Sequence, residues 1–380
     1  MSKPPETFVD VLVIGAGIAG VSLAANLART RKVLVIDMED YPCYHTTGRS
    51  AAIFAEAYGS PIIRRLTQAS RAFLETPPEG FAEHPLLTPR GLMFVADADR
   101  HPLLDELRDD IRSTGGDPLP LSVEDAIRRV SILDSNWLAG ALLDDQALDM
   151  DVHALHQGYL RQINAAGGQV RTAIRVEGLE RRGELWVAHT LKGTIMSPVV
   201  VNAAGAWADR LGEAAGTRLI GLRPLRRTVV IIDPPVGLDP SAWPIVWDVE
   251  EQFYFKPDGG QLLLSPCDET LSPPCDAHAD TLDVAIAVDR LSQACTLDVR
   301  RVGRSWAGLR SFVDDRNPVV GFDPLVEGFF WLAAQGGYGL QTAPALSRAA
   351  AALVLGHGLP ADLLSRGISE SNLSPARIIH

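Results

Sequence analysis

The segment from Val9 to Asp37 constrains this chain more than any other. An apolar run, Val9-Asp10-Val11-Leu12-Val13-Ile14, enters Gly15-Ala16-Gly17-Ile18-Ala19-Gly20, an Ala/Leu-rich helical stretch follows, and a second apolar run ends at Asp37. Each glycine has its own mechanical task. Gly15 permits the tight turn, Gly17 lets backbone N–H groups approach a pyrophosphate, and Gly20 allows the helix to lie close on the strand. The helix turns its positive end toward the phosphates. Asp37 closes the second strand where a carboxylate accepts ribose hydroxyls, and there it would repel a 2′-phosphate. The pattern predicts a site for an adenine dinucleotide and disfavours NADP. A glycine-rich turn that binds nothing would not need strand, glycines, helix and terminal acid all in register.

The chain has 380 residues, enough for two domains or for one with a large insertion. Its formal net charge of -12 is spread rather than blocked, which argues against a nucleic-acid partner. The start, Met1-Ser2-Lys3-Pro4-Pro5, lacks the pattern of a secretory signal. No apolar run is long enough to span a bilayer. The expectation is a cytoplasmic protein without a transmembrane segment. Cys43, Cys267, Cys275 and Cys295 show neither CxxC nor His-partner spacing, so free thiols are expected and no metal. Cys43, near the dinucleotide segment, is either a packing residue or a covalent cofactor anchor.

Downstream, Tyr44 to Ala52 is small and polar and leads into a segment expected to be helical past Tyr58. Helices are expected from Pro61 to Leu74, Leu103 to Ser113 and Val152 to Ala166, where Gly167-Gly168 stops the last. From about Leu219 to Arg301, apolar strands such as Thr228–Ile232 alternate with Pro/Gly turns. The fold class expected is α/β: a Rossmann-like, discontinuous cofactor domain (1–90, 147–218 and 302–380) and a mainly β substrate domain (91–146 and 219–301). Strand-to-helix turns through small residues at Gly15, Gly205 and Gly336 suggest one cofactor touched by distant parts of the chain, though the later two turns could also be ordinary packing sites.

Five motifs then occur in order: Val-Ile-Gly-Ala-Gly-Ile-Ala-Gly from Val13, Thr-Gly-Arg-Ser-Ala-Ala from Thr47, Asn-Ala-Ala-Gly-Ala-Trp from Asn202, Trp-Ala-Gly-Leu-Arg-Ser-Phe from Trp306 and Ala-Ala-Gln-Gly-Gly-Tyr-Gly from Ala333. Together they resemble the D-amino-acid oxidase superfamily of FAD enzymes over essentially the whole chain, and within it the bacterial D-arginine dehydrogenase branch. The resemblance implies non-covalent FAD, oxidative deamination of a D-amino acid, and an electron acceptor other than oxygen. Around the cofactor it places Gly15, Gly17, Ile18, Ala19, Gly20, Asp37 and Met38; His45, Thr46, Thr47, Gly48, Arg49, Ser50, Ala51 and Ala52; Val176, Ala204, Gly205, Trp207, Gly308 and Arg310; and Gly336, Gly337, Tyr338, Gly339, Leu340 and Gln341.

For the substrate, the resemblance implies a carboxylate clamp at Arg310, where a guanidinium can bind a carboxylate through two hydrogen bonds. Arg226 and Arg227 are adjacent at a strand start, so only one can face the pocket. The family pattern favours Arg227 and leaves Arg226 to solvent. Tyr254 and Tyr58 match pocket tyrosines, and Gly337 and Gln341 are expected near flavin and amine. No His, Asp or Glu stands out as an obligatory base, because a neutral amine can drive hydride departure with its own lone pair.

Members acting on basic substrates carry a glutamate where this chain has Leu92 and a pocket histidine where it has Ile53. An unpaired buried guanidinium costs about 3–5 kcal/mol, so the expected substrate is a neutral or apolar D-amino acid. Glu56 could restore an acidic contact for D-arginine or D-lysine if it points inward. Oxidation of secondary amines, of N-alkylglycine or opine type, shares the same clamp, and a non-enzymatic amino-acid sensor is a third reading.

Overall fold

The computed structural model describes residues 6–379. Two apolar tetrapeptides of identical sequence, Val11–Ile14 and Val33–Ile36, are buried throughout, as strands covered on both faces must be. They pair in parallel at the centre of a six-stranded sheet in the order Gln169–Arg171, Val33–Ile36, Val11–Ile14, Val199–Asn202, Phe329–Ala333, Val319–Phe322, with only the last pair antiparallel. Helix Ile18–Leu27 covers this sheet and packs against helices Val152–Ala165 and Gly339–Val354. A four-stranded sheet, Glu6–Phe8, Gly193–Ser197, Leu185–Thr190 and Val176–Arg182, adjoins it. The mixed α/β fold expected from the sequence is present.

The second layer is a nine-stranded sheet. Its order is Thr270–Leu271, Arg223–Ile232, Gln261–Ser265, Tyr254–Asp258, Ile245–Asp248, Leu92–Ala96, Gly140–Asp144, Leu119–Leu121, and Val302–Phe312 pairs along Arg223–Ile232. The expected grouping of 302–312 with the cofactor segments therefore fails at this strand. Ladder pairing from Arg223↔Phe312 to Ile232↔Val302 commits it to the large sheet. The segment from about Leu219 to Arg301 is also less purely β than its turns suggest, because Thr281–Ala294 is a helix whose N-terminus is capped by the Asp280 side chain.

The expected helix past Tyr58 is absent. Ile53–Phe54 instead pairs with Leu148–Met150, which also pairs with Leu87–Pro89. Tyr58 then lies in a turn that ends at Gly59, whose φ is +97°, and Ser60 caps the helix Pro61–Glu75. A left-handed glycine immediately before an N-cap and an N1 proline leaves no room for helix upstream. The four cysteines are free, and none of the helices is long and apolar enough to cross a membrane among the described residues.

Candidate active site

At the carboxyl ends of the central strands the glycines meet the geometry expected of them. Gly15 has φ +112°, and a Cβ there would stand 2.3 Å from the Ala203 carbonyl oxygen. A Cβ on Gly20 would lie 1.9 Å from the Gly15 oxygen, so its absence lets helix and turn touch. Gly17 is the N-cap and offers no side-chain cap, which leaves first-turn N–H groups for other acceptors. Ile18 N–H donates to Thr47 Oγ1 at 3.1 Å and Ala16 N–H to Asp37 Oδ2 at 2.6 Å.

Two hollows open from this turn. The first is walled by Gly15, Asp37, Met38, His45, Val176, Ala204 and Trp207, among others. The second is walled by the 46–53 loop, Gly308 to Ser311, and the 334–341 turn without Tyr338. Gly17, Thr46, Thr47, Ala203, Gly205 and Ala206 border both, so the two form one groove. Its length and glycine floor suit a dinucleotide that runs from an adenosine end at Asp37 to a ring system beneath the 334–341 turn. Gly20 and Gly48 border neither hollow: a Cβ on Gly48 would meet the Cys43 carbonyl oxygen at 2.3 Å, a packing role. Cys43 borders the first hollow, and burial pushes its thiol up to about 12, a poor state for a covalent anchor.

The 46–52 loop is pinned from the large sheet. Thr46 Oγ1 donates to the Leu309 oxygen at 2.7 Å, and Trp306 Nε1 to the Arg49 oxygen at 3.1 Å. The Arg49 guanidinium donates to the Ala277 and Ala307 carbonyls and pairs with Asp276. Below the loop, Lys256, only 4 % exposed, donates to the Ala51 oxygen and pairs with Asp149.

In the second hollow the structure brings together Ile53, Tyr58, Arg227, Tyr254, Arg310, Gly337 and Gln341. Register explains the two arginines. Arg227 stands opposite Gly308 and Arg310 opposite Leu225, so the guanidiniums are diagonal neighbours on one sheet face. Arg310 Nη2 donates to Tyr58 Oη at 2.8 Å, and its guanidinium carbon lies 5.9 Å from the Tyr338 ring. Burial works against the Arg310 charge, the Tyr58 and Tyr338 oxygens work for it, and the net shift is upward. Arg227 is 6 % exposed and donates one bond to Glu269 at 3.2 Å, while its Nε and Nη1 find no protein acceptor. Arg226 is not left to solvent as expected. It faces the other way and pairs with Asp283 at 2.7 Å. Burial pushes the Tyr254 hydroxyl up to about 12 and the Tyr58 hydroxyl well above its usual value, so both stay neutral donors.

Other expected pocket residues stand elsewhere or are occupied. Leu92 is 1 % exposed and does not border the hollow; it packs behind the wall in the cluster that holds Tyr58 and Trp247. Tyr338 lies against Tyr58 at 5.0 Å between ring centroids, outside the lining. The Gln341 amide is engaged within the protein, donating to Thr67 at 2.9 Å and accepting from Ala55 N–H at 3.3 Å. Glu56 does not border the hollow and pairs with Arg71 at 2.6 Å. Sequence reasoning missed Trp247, Ser311 and Gln335, which do border it and carry buried polar atoms without a protein partner. Gln335 lies inside the motif that begins at Ala333; a tryptophan in a β segment has no signal that separates pocket from core.

The lining contains three arginines and no His, Asp, Glu or Lys. A dinucleotide cradle continuous with such a cavity lies at the junction of a parallel sheet and a large mixed sheet, the arrangement of an enzyme that works with a nucleotide cofactor. Residues 10–353 match the DAO family, FAD dependent oxidoreductase, and the chain belongs to that family. FAD is its cofactor, and the groove described above fits it. The chain is 26% identical over 413 residues to FAD-dependent oxidoreductase domain-containing protein 1 of Bos taurus, covering 93% of this chain and 82% of the relative. Its fold is similar to that of glycine oxidase from Geobacillus kaustophilus (TM-score 0.84, 23% identity, 98% of this chain and 100% of that one). It is also similar to L-alpha-glycerophosphate oxidase from Mycoplasma pneumoniae with FAD bound (TM-score 0.83, 16% identity, 92% and 95%). One fold thus serves an amine substrate and a phosphate ester, so it is the site that must identify the substrate.

Proposed function

We propose that this chain oxidises the Cα–N bond of a D-amino acid, giving a 2-oxo acid after hydrolysis of the imine, as in the D-amino-acid branch that its motifs resemble. The observation that carries the reading is the pair Arg227 and Arg310 on one face of a cavity whose lining holds no acid. A carboxylate can pair with the two guanidiniums, and Tyr58 and Tyr254 add neutral O–H donors. The bound flavin supplies the hydride acceptor. The clamp fixes the carboxylate and thereby aims Cα–H, converting a bimolecular encounter into an oriented one. Two guanidiniums beside the amine favour its uncharged form, which releases hydride without a protein base.

A substrate with a cationic side chain finds no carboxylate here. Glu56 is held by Arg71, so D-arginine and D-lysine are disfavoured. Because no lining carboxylate demands a primary ammonium, an N-alkylglycine is accommodated on the same terms, which keeps secondary-amine oxidation as the second reading. Electrons leave to an acceptor whose identity the cavity does not specify, a quinone or another carrier. The test is anaerobic mixing of the FAD-loaded protein with both enantiomers of each amino acid and with N-methylglycine, following flavin absorbance. Bleaching by D-amino acids supports the reading. Bleaching by N-methylglycine alone transfers it to secondary amines, and no bleaching by any of them rejects it.

A further inference from the structure

Arg316 lies in the turn that follows the strand Val302–Phe312, and its φ is +57°, a left-handed backbone that costs a residue with a Cβ. Its neighbours hold it there. Asp315 pairs with Arg377 at 2.7 Å, and Asn317 Oδ1 accepts from Ser60 Oγ at 2.8 Å. The side chain turns back onto Phe312, with its guanidinium carbon 3.9 Å from the centre of the ring. From there Nη1 and Nη2 donate to the two oxygens of Glu269 at 3.0 and 2.7 Å. Glu269 Oε1 also accepts from Arg227 Nη2, at 3.2 Å.

Arg227 borders the cavity, whereas Glu269 and Arg316 border neither hollow. A guanidinium as buried as that of Arg227 needs an acceptor. A full ion pair, however, would cancel the charge that draws a carboxylate into the cavity. Sharing meets both demands. Arg316 grips both oxygens of Glu269 in a fork and leaves Arg227 one longer bond, so the three side chains together stay positive. Without Arg316, the charges of Glu269 and Arg227 would cancel.

We infer that Arg316 is a positioning residue for substrate capture: it holds Glu269 so that Arg227 keeps its positive charge available to a carboxylate in the cavity. This rests on the carboxylate-clamp reading above and adds to it a residue outside the cavity. Arg316 touches no reacting atom.

The test compares 4-methylpentanoate with its uncharged isostere 4-methylpentanamide, each titrated by calorimetry into the FAD-loaded protein. Neither carries an α-amine to oxidise. The readout is the ratio of the two affinities, in which a general loosening of the cavity cancels. The wild type favours the carboxylate. Arg316→Gly, which suits the left-handed backbone, lowers the ratio about three- to tenfold; Glu269→Gln raises it, and the double variant returns it to about the wild-type value. In anaerobic flavin reduction by a D-amino acid, Arg316→Gly raises the half-saturating concentration by the same factor and leaves the limiting rate near wild type. An unchanged ratio in Arg316→Gly, or a double variant as low as Arg316→Gly alone, overturns the inference while the clamp stands. No carboxylate preference in the wild type rejects the clamp and the inference together. The expected ratios without bleaching by any amine keep Arg316 in its role and reject amine oxidation instead. If Arg316→Gly does not fold, Glu269→Gln decides alone, and a ratio no higher than wild type overturns the inference.

Discussion

A Cβ on Gly337 would stand 1.7 Å from Arg310 Nη2, so the missing side chain of one residue is the space that the guanidinium of the other occupies. The 334–341 turn and the strand Val302–Phe312 are thereby fitted to each other at the proposed carboxylate clamp. Gly337→Ala should displace Arg310 and lower kcat/KM for amino-acid substrates by about ten- to hundredfold, the worth of charge-assisted hydrogen bonds. FAD content, read from flavin absorbance, should stay near wild type. Loss of FAD with unchanged kcat/KM per bound flavin would place Gly337 in cofactor binding instead.

The pH dependence should have a single rising limb. Burial pushes the Tyr254 hydroxyl up to about 12 and holds the Tyr58 hydroxyl well above its usual value, so both stay protonated throughout the working range. The cavity lining holds no carboxylate or imidazole to titrate below them. Only the substrate amine changes, and its neutral, reactive form grows with pH. We expect kcat/KM to rise and level off between pH 6 and 10; a bell-shaped profile there would require a protein acid that the cavity does not contain.

Leu92→Glu tests whether this position selects substrates or only packs. Since Leu92 is 1 % exposed in the core behind the wall, the new carboxylate would be buried without a partner. The expected result is a loss of several kcal/mol in stability by thermal or urea unfolding, with no gain on D-arginine. Retained stability together with faster D-arginine turnover would show that the side chain reaches the cavity.

Lys256→Met should loosen the cofactor loop. The substitution removes the donor to the Ala51 oxygen and leaves Asp149 with Arg90 as its remaining ion-pair partner. Because Asp149 keeps Arg90, the loss in stability should fall below the about 3–5 kcal/mol of leaving a buried charge wholly unpaired. Weaker FAD retention should accompany it, measured as recovery of free-flavin fluorescence on dilution; Lys256→Arg should restore part of both.

The dinucleotide turn, the flanking strands and the helices from Pro61 and Val152 were legible in the sequence, because each depends on residues close together in the chain. The spacing of Gly15, Gly17, Gly20 and Asp37 is their spacing in space, so the residues themselves announce the cradle. Composition predicts helix at Tyr58 because it cannot see that Ile53–Phe54 is claimed by a distant strand. The direction of Glu56 is open in the sequence for the same reason, since its partner Arg71 lies in the next helix and only the turn between them sets that direction.

What the sequence alone determined is therefore the cofactor class, the α/β architecture and the two arginines as candidate cations. The tertiary structure decided that those arginines stand diagonally on one face, that Leu92 is core, that the strand Val302–Phe312 joins the large sheet, and that Trp247 borders the cavity. The reason is physical: antiparallel register between strands far apart in the chain fixes which side chains share a face, and no local pattern of residues encodes that register.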